Sequence, residues 1–191
     1  MSGFTTNLCR SSDMRVFETI AQKAGDAGLP FLIIGGYAVM AHGFVRATDD
    51  LDLLVQASRR DRWRQLLQDL GYGLYQEAPS FLQFNPPANA RLPVDLMFVA
   101  DEGFDRMQAG AQQTSVGGVS VGVVSLLHLI ALKCHAIQHG KPLRRLKDTE
   151  DLIQLIRING LDLNEPQLKT TILKHGNQEL YEKLQRSCAP E

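Results

Sequence analysis

Two short stretches of this chain alternate residue by residue, and each sets an aspartate opposite an apolar face. In Asp50-Leu51-Asp52-Leu53-Leu54-Val55, the side chains of Leu51, Leu53 and Val55 share one face of an extended strand and can enter a core. Asp50 and Asp52 then project together from the other face, with Cα atoms roughly 6.5 Å apart. Val94-Asp95-Leu96-Met97-Phe98 repeats the pattern, with Val94, Leu96 and Phe98 on one side and Asp95 on the other. If the two strands are neighbours, about 4.8 Å apart, the three aspartates form an all-oxygen cluster. Carboxylates this close repel one another, and a bound cation relieves the repulsion. Hard cations such as Mg²⁺ or Mn²⁺ favour oxygen ligands and leave positions for water and substrate phosphates. Taken alone, Asp50 and Asp52 read equally well as two exposed acids on an edge strand.

A glycine pair upstream changes that balance. Gly35-Gly36 breaks the apolar run Phe31-Leu32-Ile33-Ile34, which reads as a buried strand, from Tyr37–His42, which reads as the start of a helix. Backbone without Cβ atoms can approach a phosphate closely, and a helix N-terminus offers free N–H donors. Gly-Gly at a strand–helix joint is often only a tight turn. Followed by Thr48-Asp49-Asp50-Leu51-Asp52, it becomes part of a constellation.

The rest of the chain divides into a mixed αβ half and a helical half, with the boundary near Val124. Ser12 caps a first helix with Phe17, Ile20, Ala21 and Ala24 at helical spacing and Gly25 as the stop. Trp63, Leu66, Leu67 and Leu70 mark another, closed by Gly71. Gly73–Gln76 and Phe81–Phe84 read as short strands, Asn85-Pro86-Pro87 as a loop, and Val116-Gly117-Gly118-Val119 as a hairpin turn. Helices are expected over about Ser125–His139, Leu146–Arg157, Glu165–His175 and Asn177–Arg186. The expected class is α+β: a small mixed sheet with flanking helices over residues 1–124, then a helical bundle over 125–191.

At 191 residues and 44% hydrophobic content, the chain can bury a sizeable core. Its formal net charge of -1 means that nucleic-acid binding would need local basic patches. Cys9, Cys134 and Cys188 are odd in number and show no CxxC spacing, which argues against a disulfide framework or structural zinc. The polar start Met1–Ser12 does not resemble a signal peptide, and no apolar run suits a bilayer span, so a soluble cytoplasmic protein with no membrane partner is expected.

The string Gly35-Gly36-Tyr37-Ala38, His42-Gly43, Arg46, Thr48 and Asp50-Leu51-Asp52-Leu53-Leu54-Val55 resembles the polymerase-beta-type nucleotidyltransferase superfamily. Within it, the resemblance runs most toward the AbiEii-like abortive-infection toxin nucleotidyltransferases and their relatives. Ile130-Ala131-Leu132-Lys133 and Lys147-Asp148-Thr149-Glu150-Asp151-Leu152 extend it, so that it covers about Phe31 to Arg157. The resemblance implies that Asp50 and Asp52 bind metal, that Asp95 orients and deprotonates an acceptor hydroxyl, and that Gly35 and Gly36 cradle an NTP triphosphate. The acceptor attacks the α-phosphorus in line and pyrophosphate leaves, with two metal ions stabilising the attacking and leaving oxygens. The acceptor could be tRNA, a protein or a small molecule such as an aminoglycoside, and an antitoxin protein is a possible partner. Asp49 stands where several branches carry serine. The rival reading is a catalytically silent, nucleotide-binding regulatory module of the same fold.

Lys133 shares an inward stripe with Leu126, Leu129, Ile130 and Ile137, and a buried ammonium needs a partner. Asp148 also points inward, alongside Leu152, Leu155 and Ile156. Either the two form a structural ion pair, or Lys133 serves the NTP phosphates and Asp148 positions it. Arg46 could reach phosphate or lie in solvent. The clusters Arg59, Arg60, Arg62, Arg64 and Lys141, Arg144, Arg145, Lys147 could meet an RNA acceptor, although charge runs are usually solvated faces. His135 and His139 are spaced i, i+4, but no glutamate completes an HExxH pattern.

Overall fold

The computed structural model describes residues 11–116, 119–140 and 142–189. Cys9, the Gly117-Gly118 turn, Lys141 and the Ser12 side chain, on which sequence expectations fell, lie outside what is described. The elements run α1 (Ser11–Asp26), β1 (Phe31–Ile33), α2 (Gly35–Ala41), β2 (Leu51–Gln56), α3 (Arg60–Asp69), β3 (Gly73–Ala78), β4 (Phe81–Asn85) and β5 (Val94–Val99). They continue with α4 (Asp101–Ala109), β6 (Gln112–Val116), β7 (Val119–Val123), α5 (Leu126–His139), α6 (Pro142–Ile158), α7 (Pro166–His175) and α8 (Gln178–Cys188). The mixed αβ class is as expected.

Two compact units emerge. One takes the described residues up to Ala38 together with Arg46–Val124; the other takes Val39–Val45 and the described residues from Ser125 onward.

In the first unit, the seven strands among the described residues form one sheet in the order β3-β4-β5-β2-β1-β7-β6. Strand β2 lies parallel to β5 and antiparallel to β1, and β1 is parallel to β7. The central strand β2 is buried at every position from Leu51 to Val55. Strict alternation assigned only Leu51, Leu53 and Val55 to the core, yet Leu54 is also fully buried. A central strand is covered on both faces, so its outward apolar residues are enclosed too. Phe31 packs edge-on against Trp63 of α3 at 5.8 Å between ring centroids, and against Phe17 of α1 at 6.4 Å. Helix α4 has no counterpart among the helices expected from the sequence. Its buried residue is Phe104 alone, so it shows no apolar stripe to betray it.

The second unit is helical, around a core that includes Ile130, Cys134, Leu152, Ile156, Ile172 and Leu184. Ser125, Glu165 and Asn177 cap α5, α7 and α8, each side chain accepting a backbone N–H. Helix α6 begins at Pro142, four residues before the expected start. Proline suits a first helical position because its missing N–H is not needed there. Leu143 and Leu146 in its first turns are exposed, so periodicity gives no sign of them. The end of α2 belongs to this unit: Asn159 Nδ2 donates to the carbonyl of His42 at 3.0 Å.

Candidate active site

The first unit brings the three aspartates together. Asp50 directly precedes β2, Asp52 is its second residue, and Asp95 is the second residue of β5. The parallel register sets Asp52 directly beside Asp95. One oxygen from each of Asp50, Asp52 and Asp95 lies within 4.8 Å of the other two. Asp52 is the most enclosed, at 8% exposure. Ligands on opposite sides of one Mg²⁺ are about 4.2 Å apart, so this hard-oxygen donor set fits Mg²⁺ or Mn²⁺.

Steric room for this arrangement comes from the glycines. Gly35 has φ +60°, and a Cβ there would stand 1.7 Å from Asp52 Oδ2. A Cβ at Gly36 would stand 2.2 Å from Thr48 Oγ1 and 3.3 Å from a guanidinium nitrogen of Arg46. The pair therefore lets the start of α2 lie against the Asp52 carboxylate and the Thr48 side chain, a packing role that the sequence did not reveal. The Ile34 N–H donates to the carbonyl of Asp52 at 3.1 Å and closes the joint. Thr48 donates its hydroxyl to Asp50 Oδ1 at 3.1 Å. Arg46 donates to the Ala47 carbonyl at 2.9 Å. Gln83, on β4 opposite Asp95, donates its amide to Asp95 Oδ2. Nothing in the sequence pointed to Gln83, because a register between strands is not a local pattern.

The second unit holds a different cluster. Lys133 Nζ donates to Asp148 Oδ1 and to Asp151 Oδ2, both at 2.6 Å. All three are buried, with Lys133 at 7% exposure. Arg144 Nε stands 3.7 Å from Asp148 Oδ2, which accepts no hydrogen bond. The inward partner that Lys133 required is thus a pair of carboxylates. Sequence alone left Asp151 without a role; it lies one turn beyond Asp148, where i, i+3 side chains are neighbours.

Several of the cations that could meet RNA hold parts of the fold together. Arg60 pairs with Glu77 at 2.9 Å, donates to the carbonyls of Ala78 and Pro79, and lies 4.6 Å over the Phe98 ring. Arg64 pairs with the same Glu77. The hydrogen bond from Arg60 and the pairing with Arg64 hold the Glu77 carboxyl below its ordinary range. Arg62 donates to the Ala27 carbonyl at 2.5 Å, and Arg145 to that of Gly140 at 2.8 Å. The rings of His135 and His139 lie tilted at 47° with centroids 4.4 Å apart, on an exposed face. Burial pushes the Cys134 thiol up to about 12, so it behaves as core filling rather than a nucleophile.

No protein-family model matches this chain, and no curated protein matches it by sequence. Solved structures do. The antibiotic-resistance factor ANT(2'')-Ia in solution matches with a TM-score of 0.65 at 19% identity, over 93% of this chain and 97% of that one. An antigenic nucleotidyltransferase-like protein from Paracoccidioides brasiliensis matches at 0.56 and 16%, over 94% of each chain. The lincosamide antibiotic adenylyltransferase LnuA, bound to lincomycin, matches at 0.55 and 16%, over 80% of this chain and 99% of that one. Among the described residues, no helix is long and apolar enough to cross a membrane. Across nearly its whole length, the chain shares the fold of these solved structures, a nucleotidyltransferase-like protein and an adenylyltransferase among them.

Proposed function

We propose that this protein is a metal-dependent nucleotidyltransferase that moves an NMP from an NTP to a hydroxyl-bearing acceptor. The observation that carries the reading is the convergence of Asp50, Asp52 and Asp95 within 4.8 Å on a nucleotidyltransferase fold. A divalent ion held there, Mg²⁺ or Mn²⁺, supplies positive charge against the triphosphate and the departing pyrophosphate. Asp50, Asp52 and Asp95 hold that charge, and Asp95 also takes the proton of the acceptor hydroxyl. The acceptor oxygen forms a bond to the α-phosphorus as the bond from that phosphorus to the β-phosphate oxygen breaks. We assign the backbone of Gly35 and Gly36 to the triphosphate, with Arg46 and Thr48 at the same joint. We assign the chemistry to residues 1–124 and the helical region to 125–191. We assign Lys133 and Asp148 to a buried ion cluster, since Nζ already meets two carboxylates at 2.6 Å.

A small-molecule acceptor is supported by two of the structural neighbours. ANT(2'')-Ia has been captured with adenylyl-2''-tobramycin, and LnuA with lincomycin. The other acceptors are tRNA or a protein, as for an abortive-infection toxin with an antitoxin partner. The test is incubation with each α-labelled NTP, Mg²⁺ or Mn²⁺ and, in parallel, an aminoglycoside and lincosamide panel, tRNA and cell lysate. Label should pass to one acceptor class with release of pyrophosphate, and Asp52→Asn should lower transfer by at least about a thousandfold, roughly 4 kcal/mol on the barrier. Nucleotide binding without transfer to any acceptor would instead support a catalytically silent module.

A further inference from the structure

We infer that Gln83 is a positioning residue for the metal cluster, holding the third carboxylate from the neighbouring strand; this rests on the metal site proposed above. Asp52 on β2, Asp95 on β5 and Gln83 on β4 are register partners in one row across three adjacent strands. Directly opposed residues on neighbouring strands present their side chains on the same face of a sheet. The Gln83 amide therefore shares the face of the acids and reaches Asp95 Oδ2. An ionised carboxylate only accepts hydrogen bonds, so the NH₂ end of the amide must face it.

The row has a chemical logic. A carboxyl group on a short side chain turns about its Cβ–Cγ bond, and each orientation presents different lone pairs to an ion. A donor fixed on the adjacent strand removes that freedom at Asp95. Being neutral, it does so without the counter-charge that would compete with a cation. Thr48 does the same at Asp50, through its hydroxyl on Oδ1. The two outer acids of the cluster are thus each held by a neutral donor. Gln83 sits between the fully buried Leu82 and Phe84 on β4, so its backbone is firmly placed. Outer partners of this kind typically control metal affinity by 10–100-fold.

The experiment uses the full chain and Mn²⁺ alone, followed by electron paramagnetic resonance, with no nucleotide or acceptor. Wild type, Asp52→Asn, Gln83→Leu and Gln83→Asn are titrated, and metal-free melting is recorded for each. Leucine keeps most of the volume and removes the donor; asparagine keeps an amide but is one methylene too short to reach Asp95. Both Gln83 variants should bind Mn²⁺ about 10–100-fold more weakly while melting close to wild type without metal. Should Gln83→Leu fail to fold, Gln83→Asn is read by the same criterion. Wild-type Mn²⁺ affinity in a folded Gln83 variant, with Asp52→Asn impaired, overturns the role of Gln83 and leaves the metal site standing. Equal Mn²⁺ binding by wild type and Asp52→Asn removes the metal site, and the inference with it.

Discussion

In the sheet unit three carboxylates converge on one another; in the helical unit two carboxylates converge on a lysine. The clusters are built from the same kinds of residue but differ in what completes them. Lys133 supplies an ammonium at 2.6 Å from Asp148 and Asp151, deep among packed helices, and Arg144 at 3.7 Å from Asp148 supplies a second positive charge. The group at Asp50, Asp52 and Asp95 sets like charges within 4.8 Å of each other, which favours a cation from outside. A buried pair contributes little net stability beside an apolar substitute, but breaking it is costly because it strands a charge. Removing one acid from a self-repelling group strands nothing. A charged cluster therefore reveals its purpose by whether its own members balance it.

The sharpest way to break this contrast is Lys133→Ala. It leaves two buried carboxylates without their cation and should cost about 3–5 kcal/mol in urea unfolding. Near-wild-type stability with strongly weakened NTP binding would hand the lysine to the triphosphate instead. Gly35→Ala probes the joint that admits Asp52. A non-glycine residue at φ +60° is strained by about 1–2 kcal/mol, and its Cβ would overlap Asp52 Oδ2. Lower stability together with weakened Mn²⁺ binding is expected; wild-type values for both would dismiss the packing role. Thr48→Val should have the smallest effect. It keeps the shape and removes the hydrogen bond to Asp50, worth about 0.5–1.5 kcal/mol, so Mn²⁺ affinity should fall by less than about tenfold. Loss of NTP affinity with Mn²⁺ binding unchanged would make Thr48 a nucleotide contact rather than a support for Asp50.

Much of this contrast is legible in the order of the residues. Alternation in 50–55 and 94–99 sets the face of each aspartate, and the stripe through Leu126, Leu129, Ile130 and Ile137 turns Lys133 inward. Ser125 and the acid and amide at Glu165 and Asn177 mark helix starts, because a cap is a local hydrogen bond. Helix α4 and the first turn of α6 carry no such mark, since α4 buries only Phe104 and residues 142–147 are all exposed, which leaves no apolar period. The arginines of α3 read in the sequence as a basic cluster that could meet RNA. Their partners, Glu77 and the carbonyls of Ala27, Ala78 and Pro79, come from other elements of the same unit.

The order of residues is enough to set on which side of its strand or helix a side chain lies, because side-chain direction follows from periods of two and 3.6 residues. Tertiary structure alone decided that β2 lies beside β5 with Asp52 opposite Asp95, and that β4 brings Gln83 to the same row. It also decided that α6 supplies a second acid, Asp151, to Lys133. Register and helix docking are set by the packing of segments far apart in the chain, and no local period records them.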